Sequence, residues 1–512
     1  MNEQYFTSLN GYYVKDKEAI HTYNSVAEMK ADSKIKEGSY VKTRGYYNVN
    51  DGGNGEYLIR TKNQDDVEDN GKIHFTQNNL VAELVINGTI NAKQIGCKTD
   101  GTDNSTILNN YFNEGNNQGI YFPNGNYSVS TEIDTTGSVI MDRDAYFLAL
   151  NEMDCVVHIN KNITNNNFVN NYPRNQELKI NVNCNKLANT GIRTDKLHWA
   201  NLVLTVINAV QYGVYTNYSQ TPHAENNFII QVSNDTDYNN TTTGLYVRGA
   251  DDVYKNITTI NCKTGVYLRS GDNSIDVIHS WINNSSLWTG SVCLKTHACK
   301  NHINNLVCDT MEMGIYLDYD GNFPFGLFID FYYAMINSSV VSTSDSTTFK
   351  IFDMGQISNN SLNNSNLVIT NYVGQDDNTA KIVLGSDGIC PYNTVLGYNN
   401  DYQLPAWTYS LDYAPQGQFN FYGGNDVTGK PTGMTGSSYV IVTKNTPYGK
   451  LQELFNNQNN VNTGDTVYDE NNIPTSGFIG FHKRSFNKYN NGNNCWGTFA
   501  SYHVSIPTTE QE

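Results

Sequence analysis

The sequence predicts an all-β protein built as a parallel β-solenoid, in which short strands stack coil upon coil. Three observations predict this fold. Short strand-like segments repeat along the chain, apolar and polar residues alternate within each segment, and the composition includes 36 Tyr and 41 Gly. A helical solenoid would require long stretches of 3.6-residue periodicity, and none is present. Repeats of this length indicate a solenoid because one repeat cannot bury its apolar face alone.

Six segments of the repeat lie between residues 191 and 318. Their first residues are separated by 22, 31, 21, 26 and 23 positions, a spacing that fits one solenoid coil each. The segments are GIRTD from Gly191, GVYTN from Gly213, GLYVR from Gly244, GVYLR from Gly265, SVCLK from Ser291 and GIYLD from Gly314. Each segment therefore supplies one strand to a growing stack.

Side chains alternate across a strand, so this alignment predicts inward and outward columns of residues. One inward column contains Ile192, Val214, Leu245, Val266, Val292 and Ile315, and the other contains Thr194, Thr216, Val247, Leu268, Leu294 and Leu317. The outward columns contain Arg193, Tyr215, Tyr246, Tyr267, Cys293 and Tyr316, and then Asp195, Asn217, Arg248, Arg269, Lys295 and Asp318. Apolar runs between the segments provide further strands, and the Asn residues before them (Asn201, Asn227 and Asn256) are expected to stack at equivalent turns.

Composition excludes several classes of protein. The net charge of -17 disfavours a nucleic-acid partner, because phosphate backbones require a basic surface. The nine Cys include no CxxC pair, which disfavours a disulfide framework and fits folding in a reducing cytosol. No apolar run approaches the ~18 residues of a membrane helix, and the N-terminus lacks the apolar core of a signal peptide.

Texture divides the chain into four regions. Residues 1–90 form an N-terminal module with a Gly-rich hairpin signal at Asp51-Gly52-Gly53-Asn54-Gly55. Residues 91–345 carry the solenoid, which would extend as far as about residue 400. Residues 346–435 form a β-rich extension, and residues 436–512 form a C-terminal module that contains Trp496.

Residues 93–130 resemble the opening of the pectate-lyase-like β-helix family. The pattern GAxxDGxTDdTxAIqxAi…GgxvyfPxGxY is matched at Gly96, Asp100, Gly101, Thr102, Asp103, Ile107, Leu108, Gly119, Phe122, Pro123, Gly125 and Tyr127. The segment departs from that pattern at Cys97 and Lys98, where small residues are usual. Residues 103–115 would form the amphipathic helix that caps the first coil, followed by a turn at Phe122-Pro123-Asn124-Gly125.

The flanking segments extend the resemblance to phage tail spikes and pre-neck appendage proteins. GYYNVNDGGNGEYLI is similar to a segment placed before this motif in such proteins, and GKLQELFN…CWGTFASYH is similar to tail-fibre knobs. The resemblance implies a right-handed parallel β-helix with an N-terminal virion-attachment module and a C-terminal trimerisation or receptor-binding module. It also implies a homotrimeric virion tail protein, made in the host cytoplasm and joined to tail or neck proteins, that degrades a capsule, exopolysaccharide or teichoic acid.

The outward columns are the first candidate for a binding surface. Coils lie ~4.8 Å apart, so Arg248, Arg269 and Lys295 are predicted to form a cationic row beside an aromatic one. Arg binds carboxylates and phosphates bidentately, and Tyr rings can stack on pyranose faces. The aromatic row comprises Tyr215, Tyr246, Tyr267 and Tyr316. These residues would bind an anionic polymer, although Tyr and Arg also often cover an exposed sheet without further function.

Acidic residues follow the same strands and are the candidates for catalysis. We expect Asp252, Asp272, His297 and Asp320 to converge on one groove, with Asp252 and Asp272 one coil apart, and Asp318 is a further catalytic candidate. Two carboxylates ~5–9 Å apart would support glycoside hydrolysis. Asp at turns is also ordinary capping chemistry, so each residue taken singly is as well explained by structure.

The sequence leaves two other mechanisms open. In eliminative cleavage, Arg248, Arg269, Lys295 or Tyr267 would abstract a proton and neutralise an enolate. In phosphodiester cleavage, His279, His297 and the aspartates would hold a metal. No cofactor is identified, although the same acids would suit Ca²⁺. The alternatives to a depolymerase are a non-catalytic receptor-binding spike and a structural appendage that binds through its C-terminal module.

Overall fold

The computed structural model consists of two compact units, residues 1–209 and 210–512. It describes residues 21–113, 119–161, 175–216, 224–238, 240–297, 300–318, 326–335, 349–353, 366–375, 381–383 and 389–398, together with five strands between residues 416 and 507. Among these residues, no helix is long and apolar enough to span a bilayer.

Unit 1 begins with a five-stranded sheet and one short helix, Val26–Ala31. The strands of the sheet, in spatial order, are His21–Tyr23, Tyr40–Thr43, Glu56–Thr61, Leu80–Leu84 and Ile73–Phe75. The predicted Gly-rich hairpin is confirmed, since Tyr40–Thr43 and Glu56–Thr61 are antiparallel. Asp51 organises the turn, because its carboxylate accepts hydrogen bonds from four backbone N–H groups, among them those of Tyr46 and Gly53.

The predicted cap of the β-helix is also confirmed. After the 3₁₀ turn Ala92–Ile95, the helix Ser105–Asn113 buries Leu108, Tyr111 and Phe112. The turn at residues 122–125 follows, and its Gly125 has φ +135° and lies so close to Thr99 that a Cβ would fall 2.6 Å from the Thr99 side chain. Unit 1 then contains parallel strands at Ile90–Asn91, Ile120–Phe122, Gly125–Val129, Ile133–Thr135, Val139–Met141, Ala145–Ala149, Met153–Ile159, Glu177–Asn183, Ala188–Thr194 and Asn201–Ile207.

Unit 2 contains two parallel sheets whose strands alternate along the chain. The short-strand sheet comprises Tyr212–Thr216, Thr243–Val247, Thr264–Leu268, Val292–Thr296, Met313–Leu317, Lys350–Asp353 and Lys381–Val383. The long-strand sheet comprises Asn227–Ser233, Val253–Ile260, Ser274–Trp281, Asn301–Asp309, Gly326–Met335, Asn366–Gln375, Ile389–Tyr398, Gln416–Tyr422 and Val440–Thr443, with Leu451–Leu454 antiparallel at its end. A 3₁₀ turn at Ser285–Leu287 and a hairpin of Asn494–Phe499 with Tyr502–Pro507 complete the described elements. The predicted parallel β-helix is confirmed by these parallel registers.

The predicted alignment is wrong by two residues at one strand. Val292 lies opposite Thr264, and Leu294 lies opposite Val266, so Lys295 is level with Tyr267. Cys293, which we expected to point outward, is fully buried and is level with the glycines of neighbouring strands. A small side chain fits at that position because the long-strand sheet passes close by, and at Gly265 a Cβ would fall 2.2 Å from Ser280 Oγ.

Asparagine ladders do form at turns, at residues other than the expected ones. Asn227 and Asn256 are exposed. The buried ladder instead joins Asn226, Asp252, Asn273 and Asn301 on successive coils. In its centre the Asn273 side-chain oxygen accepts from the Asp252 backbone N–H at 3.2 Å, and its amide donates to Asn301 Oδ1 at 3.1 Å. The ladder satisfies turn amides that would otherwise be buried without partners.

We expect Asn273→Ala to lower the free energy of unfolding of unit 2 by about 1–3 kcal/mol, because it leaves buried backbone and amide groups unpaired. Urea denaturation followed by circular dichroism measures the change. The matched control is Asn256→Ala at an exposed strand position, which should stay within about 0.5 kcal/mol of the parent. Equal losses in both variants would contradict the role of the ladder.

Candidate functional site

A column of six side chains, four of them tyrosines, lies on the outer face of the short-strand sheet. It contains Tyr215, Tyr246, Tyr267, Lys295, Tyr316 and Asp353, one from each successive strand. We call the first five the tyrosine column. The rings of Tyr215 and Tyr246 stack at 4.9 Å and 11°, and Tyr246 meets Tyr267 edge to face at 5.1 Å. All five side chains are partly exposed, so the column offers ring surfaces to solvent.

Lys295 belongs to this column rather than to the predicted cationic row. Its ammonium lies 4.7 Å from the centroid of the Tyr267 ring and 5.5 Å from that of Tyr316. The correction follows from the two-residue register error, because the residue level with Arg269 is His297. Both distances are within the range of a cation–π contact.

A second column stands one residue beyond the strand ends. The backbone ladder continues from Arg248 through Arg269 and His297 to Asp318, each donating its N–H to the preceding coil. Arg248 Nη1 donates to Tyr215 Oη at 3.4 Å, and Arg269 Cζ lies 5.9 Å from the centroid of the Tyr267 ring. The structure therefore brings two of the three predicted cations together at adjacent coils.

The two columns meet at Asp318. Its Oδ2 accepts a hydrogen bond from Tyr267 Oη at 2.8 Å and lies 2.9 Å from Lys295 Nζ. His297 Nδ1 hydrogen-bonds to the backbone oxygen of the same residue. We call Tyr267, Lys295, His297 and Asp318 the Asp318 centre. The sequence had singled out each of these residues, but not their contacts with one another.

Electrostatics gives the groups of the Asp318 centre opposite protonation states. Burial alone would raise the pKa of Asp318, but hydrogen bonds from Lys295 and Tyr267 outweigh it and hold this pKa below its usual range. Burial and the hydrogen bond to Asp318 raise the pKa of Tyr267. At neutral pH the centre thus presents an ionised carboxylate beside a protonated phenol, a proton acceptor next to a proton donor.

The two aspartates of the predicted pair lie in different environments, one buried and one exposed. Asp252 is 1% exposed, and its carboxylate accepts two hydrogen bonds from Asn226, within the asparagine ladder. The residue level with Asp272 is Asp251, which the pairing of Val253 with Ser274 places on the adjacent coil. Asp272 is exposed and lies 3.9 Å from Lys300 Nζ. Asp320 lies outside the described residues.

The metal-binding hypothesis places His279 and His297 in one ligand set. In the structure His279 lies on the outer face of the long-strand sheet, with its ring 4.5 Å from that of Trp281. His297 follows a strand of the other sheet. No group of three His, Cys, Asp or Glu side chains suited to a metal occurs within the described ranges.

Unit 1 holds a charged cluster that the sequence did not indicate. His158 Nε2 lies 2.5 Å from Asp195 Oδ2, and its Nδ1 lies 3.6 Å from Glu132 Oε1. Lys161 in turn bonds to Glu132. His158 and Asp195 are 5% and 6% exposed. Glu132, His158 and Asp195 come from or adjoin the strands Ile133–Thr135, Met153–Ile159 and Ala188–Thr194, so the cluster links successive coils. These residues are far apart in sequence, and they become neighbours only through the register between the strands.

Comparison with known proteins finds similarity at the level of structure. No family model and no curated protein matches the sequence. Solved structures that match include the enzymatically active domain of tailspike protein 2 of bacteriophage CBA120, at 12% identity and a TM-score of 0.54, covering 74% of this chain and 57% of that one. Another is the tailspike gp49 of Acinetobacter baumannii bacteriophage Fri1, a capsular polysaccharide depolymerase, at 11% identity and a TM-score of 0.39, covering 83% and 69%.

The first of these similarities shows a shared parallel β-helix fold. This chain spans little more than half of the length of that tailspike domain, and an identity of 12% does not transfer an activity. Its function therefore has to be argued from its own site.

The His158 cluster predicts a pH dependence of stability. Burial lowers the pKa of His158, but the hydrogen bond to Asp195 and the nearby carboxylate of Glu132 outweigh it, so the folded-state pKa is raised. The stabilisation is thus fully present below the ordinary pKa of about 6.5 and is lost as the pH rises through the raised value. We expect the stability advantage of the parent over His158→Gln to shrink with rising pH, as measured by thermal unfolding at a series of pH values. His302→Gln, at an exposed pair with Asp330 in unit 2, is the control and should show little effect. An advantage that grows with pH would contradict the assignment.

Proposed function

We propose that this protein is a phage tail spike that binds and cleaves an anionic polymer of the host cell surface, at the tyrosine column and the Asp318 centre. The observation that carries the proposal is the contact of Tyr267, Lys295 and Asp318 beside a row of exposed aromatic and cationic side chains. The β-helix shared with a tailspike domain supports it. In this proposal the protein acts in the virion tail as a homotrimer attached to tail or neck proteins.

The tyrosine column suits a linear sugar polymer. Its rings follow one another at one-coil spacing, so several successive sugars would contact aromatic surface along the β-helix axis. Arg248 and Arg269 flank the rings and add charge-assisted hydrogen bonds to acidic groups. The overall charge of -17 makes this local cationic strip the favourable place for an anionic ligand.

The Asp318 centre supplies groups for acid–base chemistry. The ionised Asp318 would take a proton from an attacking water, Tyr267 would donate its proton to the leaving oxygen, and the proton on Asp318 would return to Tyr267 along their hydrogen bond. His297, through its bond to the backbone of Asp318, would position the carboxylate. Asp272, exposed in the turn that follows the same strand as Arg269, would be the second carboxylate if the reaction is a two-carboxylate hydrolysis.

We expect purified protein to release new reducing ends, an unsaturated product or glycerol phosphate from host surface polymer. Asp318→Asn and Tyr267→Phe should each lower kcat about 10²–10⁴-fold, the usual contribution of a positioned acid or base. Asp330→Asn, at an exposed pair on the long-strand sheet, is the matched control for the carboxylate and should keep full activity.

The outcome distinguishes the competing functions. Full activity in Asp318→Asn would overturn the assignment of the centre. Tight polymer binding without any product would favour the non-catalytic receptor-binding spike. Loss of activity in both Asp272→Asn and Asp318→Asn, with an unchanged fold, would indicate a two-carboxylate hydrolase.

A further inference from the structure

We propose that Arg248 and Arg269 together form a single oxyanion site, and that the polymer therefore carries isolated acidic groups separated by uncharged sugars. The inference rests on the proposed function for its biological ligand, but the anion site itself can be tested without any cleavage. It turns on how the two guanidinium groups are placed and on which charges surround them.

The two arginines occupy equivalent positions on adjacent coils. Val247 pairs with Leu268, and the Arg269 N–H donates to the Val247 oxygen at 2.8 Å, so the ladder continues to the residues after the strands. One coil separates their backbones by ~4.8 Å. Both side chains are exposed and stand beside the ring of Tyr246. Two planar donor groups on one side of a sheet can thus reach the same ligand.

Within the part of unit 2 that the structure describes, the charges of this pair are only partly compensated, because the Asp318 carboxylate acts on Arg269 from beyond ion-pair distance. Arg248 donates to the hydroxyl of Tyr215, and Arg269 lies over the ring of Tyr267, but neither has a carboxylate in salt-bridge contact there. Several other cations of the described part of unit 2 do have such partners, whereas Lys263 bonds to backbone oxygens. These ion pairs are Lys295 with Asp318 at 2.9 Å, Lys255 with Asp276 at 3.2 Å and Lys350 with Asp353 at 3.1 Å. Like charges at adjacent coils repel each other, so an anion bound between them would stabilise both.

The spacing favours one oxyanion over two. Two anions held one coil apart would repel each other as the guanidiniums do, whereas one carboxylate or phosphate accepts hydrogen bonds from both. On one side of the pair lie the stacked rings of Tyr215 and Tyr246, which suit uncharged sugar faces. On the other side Lys295 is already engaged by Asp318, whose ionised carboxylate would repel a second acidic group. The bond of the polymer that is cut should therefore lie close to an acidic sugar or phosphate group, with uncharged sugars on either side.

The experiment measures binding of sodium glucuronate and of glycerol phosphate to the full chain, by calorimetric titration at low ionic strength. We expect one equivalent per chain for at least one probe. Arg248→Gln and Arg269→Gln should each weaken binding about tenfold, the loss of one charge-assisted contact. Each single variant should still bind one equivalent, only more weakly, because the remaining arginine holds the same ligand, and the double variant should be weaker than either. Lys255→Gln, a cation on the long-strand sheet, is the control and should bind like the parent.

Three results would overturn the inference: parental affinity in either single variant, two equivalents per chain, or no saturable binding of either probe. The preferred probe identifies the oxyanion as carboxylate or phosphate. If the probe binds as expected but no polymer is cleaved, the proposed function fails and the anion site stands. If polymer is cleaved with an unchanged KM in both arginine variants, the anion site fails and the depolymerase stands.

Discussion

The parallel backbone ladder between successive coils is the constraint on which the rest of this structure depends. Each strand donates and accepts along its length with the strand one coil away, so residues about 20 to 40 positions apart in sequence become neighbours at ~4.8 Å. This spacing is short enough for ring stacking, for ion pairs and for amide-to-amide hydrogen bonds. It produces the contact of Tyr215 with Tyr246, that of Lys295 with Asp318, and the ladder through Asn273.

The same ladder makes compensation of charge a local requirement. Two cations at equivalent positions on adjacent coils repel each other. In this chain the repulsion is reduced in two ways, by ion pairs and by contacts with aromatic rings. Lys295 is paired with Asp318 and flanked by the rings of Tyr267 and Tyr316. Arg248 and Arg269 have phenol partners, and among the described residues no carboxylate lies within ion-pair distance of either. In unit 1, His158 faces one carboxylate from each of two other coils, so its charge is matched across the stack. Reactive and ligand-binding groups are therefore expected at the coils where a charged side chain lacks an ion-pair partner on a neighbouring coil.

The two-residue register error at the strand Val292–Thr296 explains why the sequence did not predict the contacts of the Asp318 centre. SVCLK from Ser291 aligned with its neighbours by residue type, yet the strand pairs two residues further along, where Cys293 replaces glycine. A shift of two residues preserves the alternation, so Leu294 still points inward and the fold prediction does not change. The neighbours on the outer face do change. Lys295 lies level with Tyr267 in the tyrosine column, and His297 is the residue level with Arg269. The prediction for Asp252 was also wrong. We expected this residue in an open groove, but it is buried and forms part of the asparagine ladder.

The sequence by itself determined the architecture: strand alternation, coil length, the capping helix at Ser105–Asn113 and the aromatic outer column all follow from local patterns. Such patterns depend on neighbours along the chain, and these are visible in one dimension. Tertiary structure alone decided which residues share a level, and hence that Tyr267, Lys295 and Asp318 touch, that Asp251 rather than Asp252 is level with Asp272, and that His158 lies between two carboxylates. Register between coils depends on turns of variable length between strands, and no periodicity within a strand encodes it.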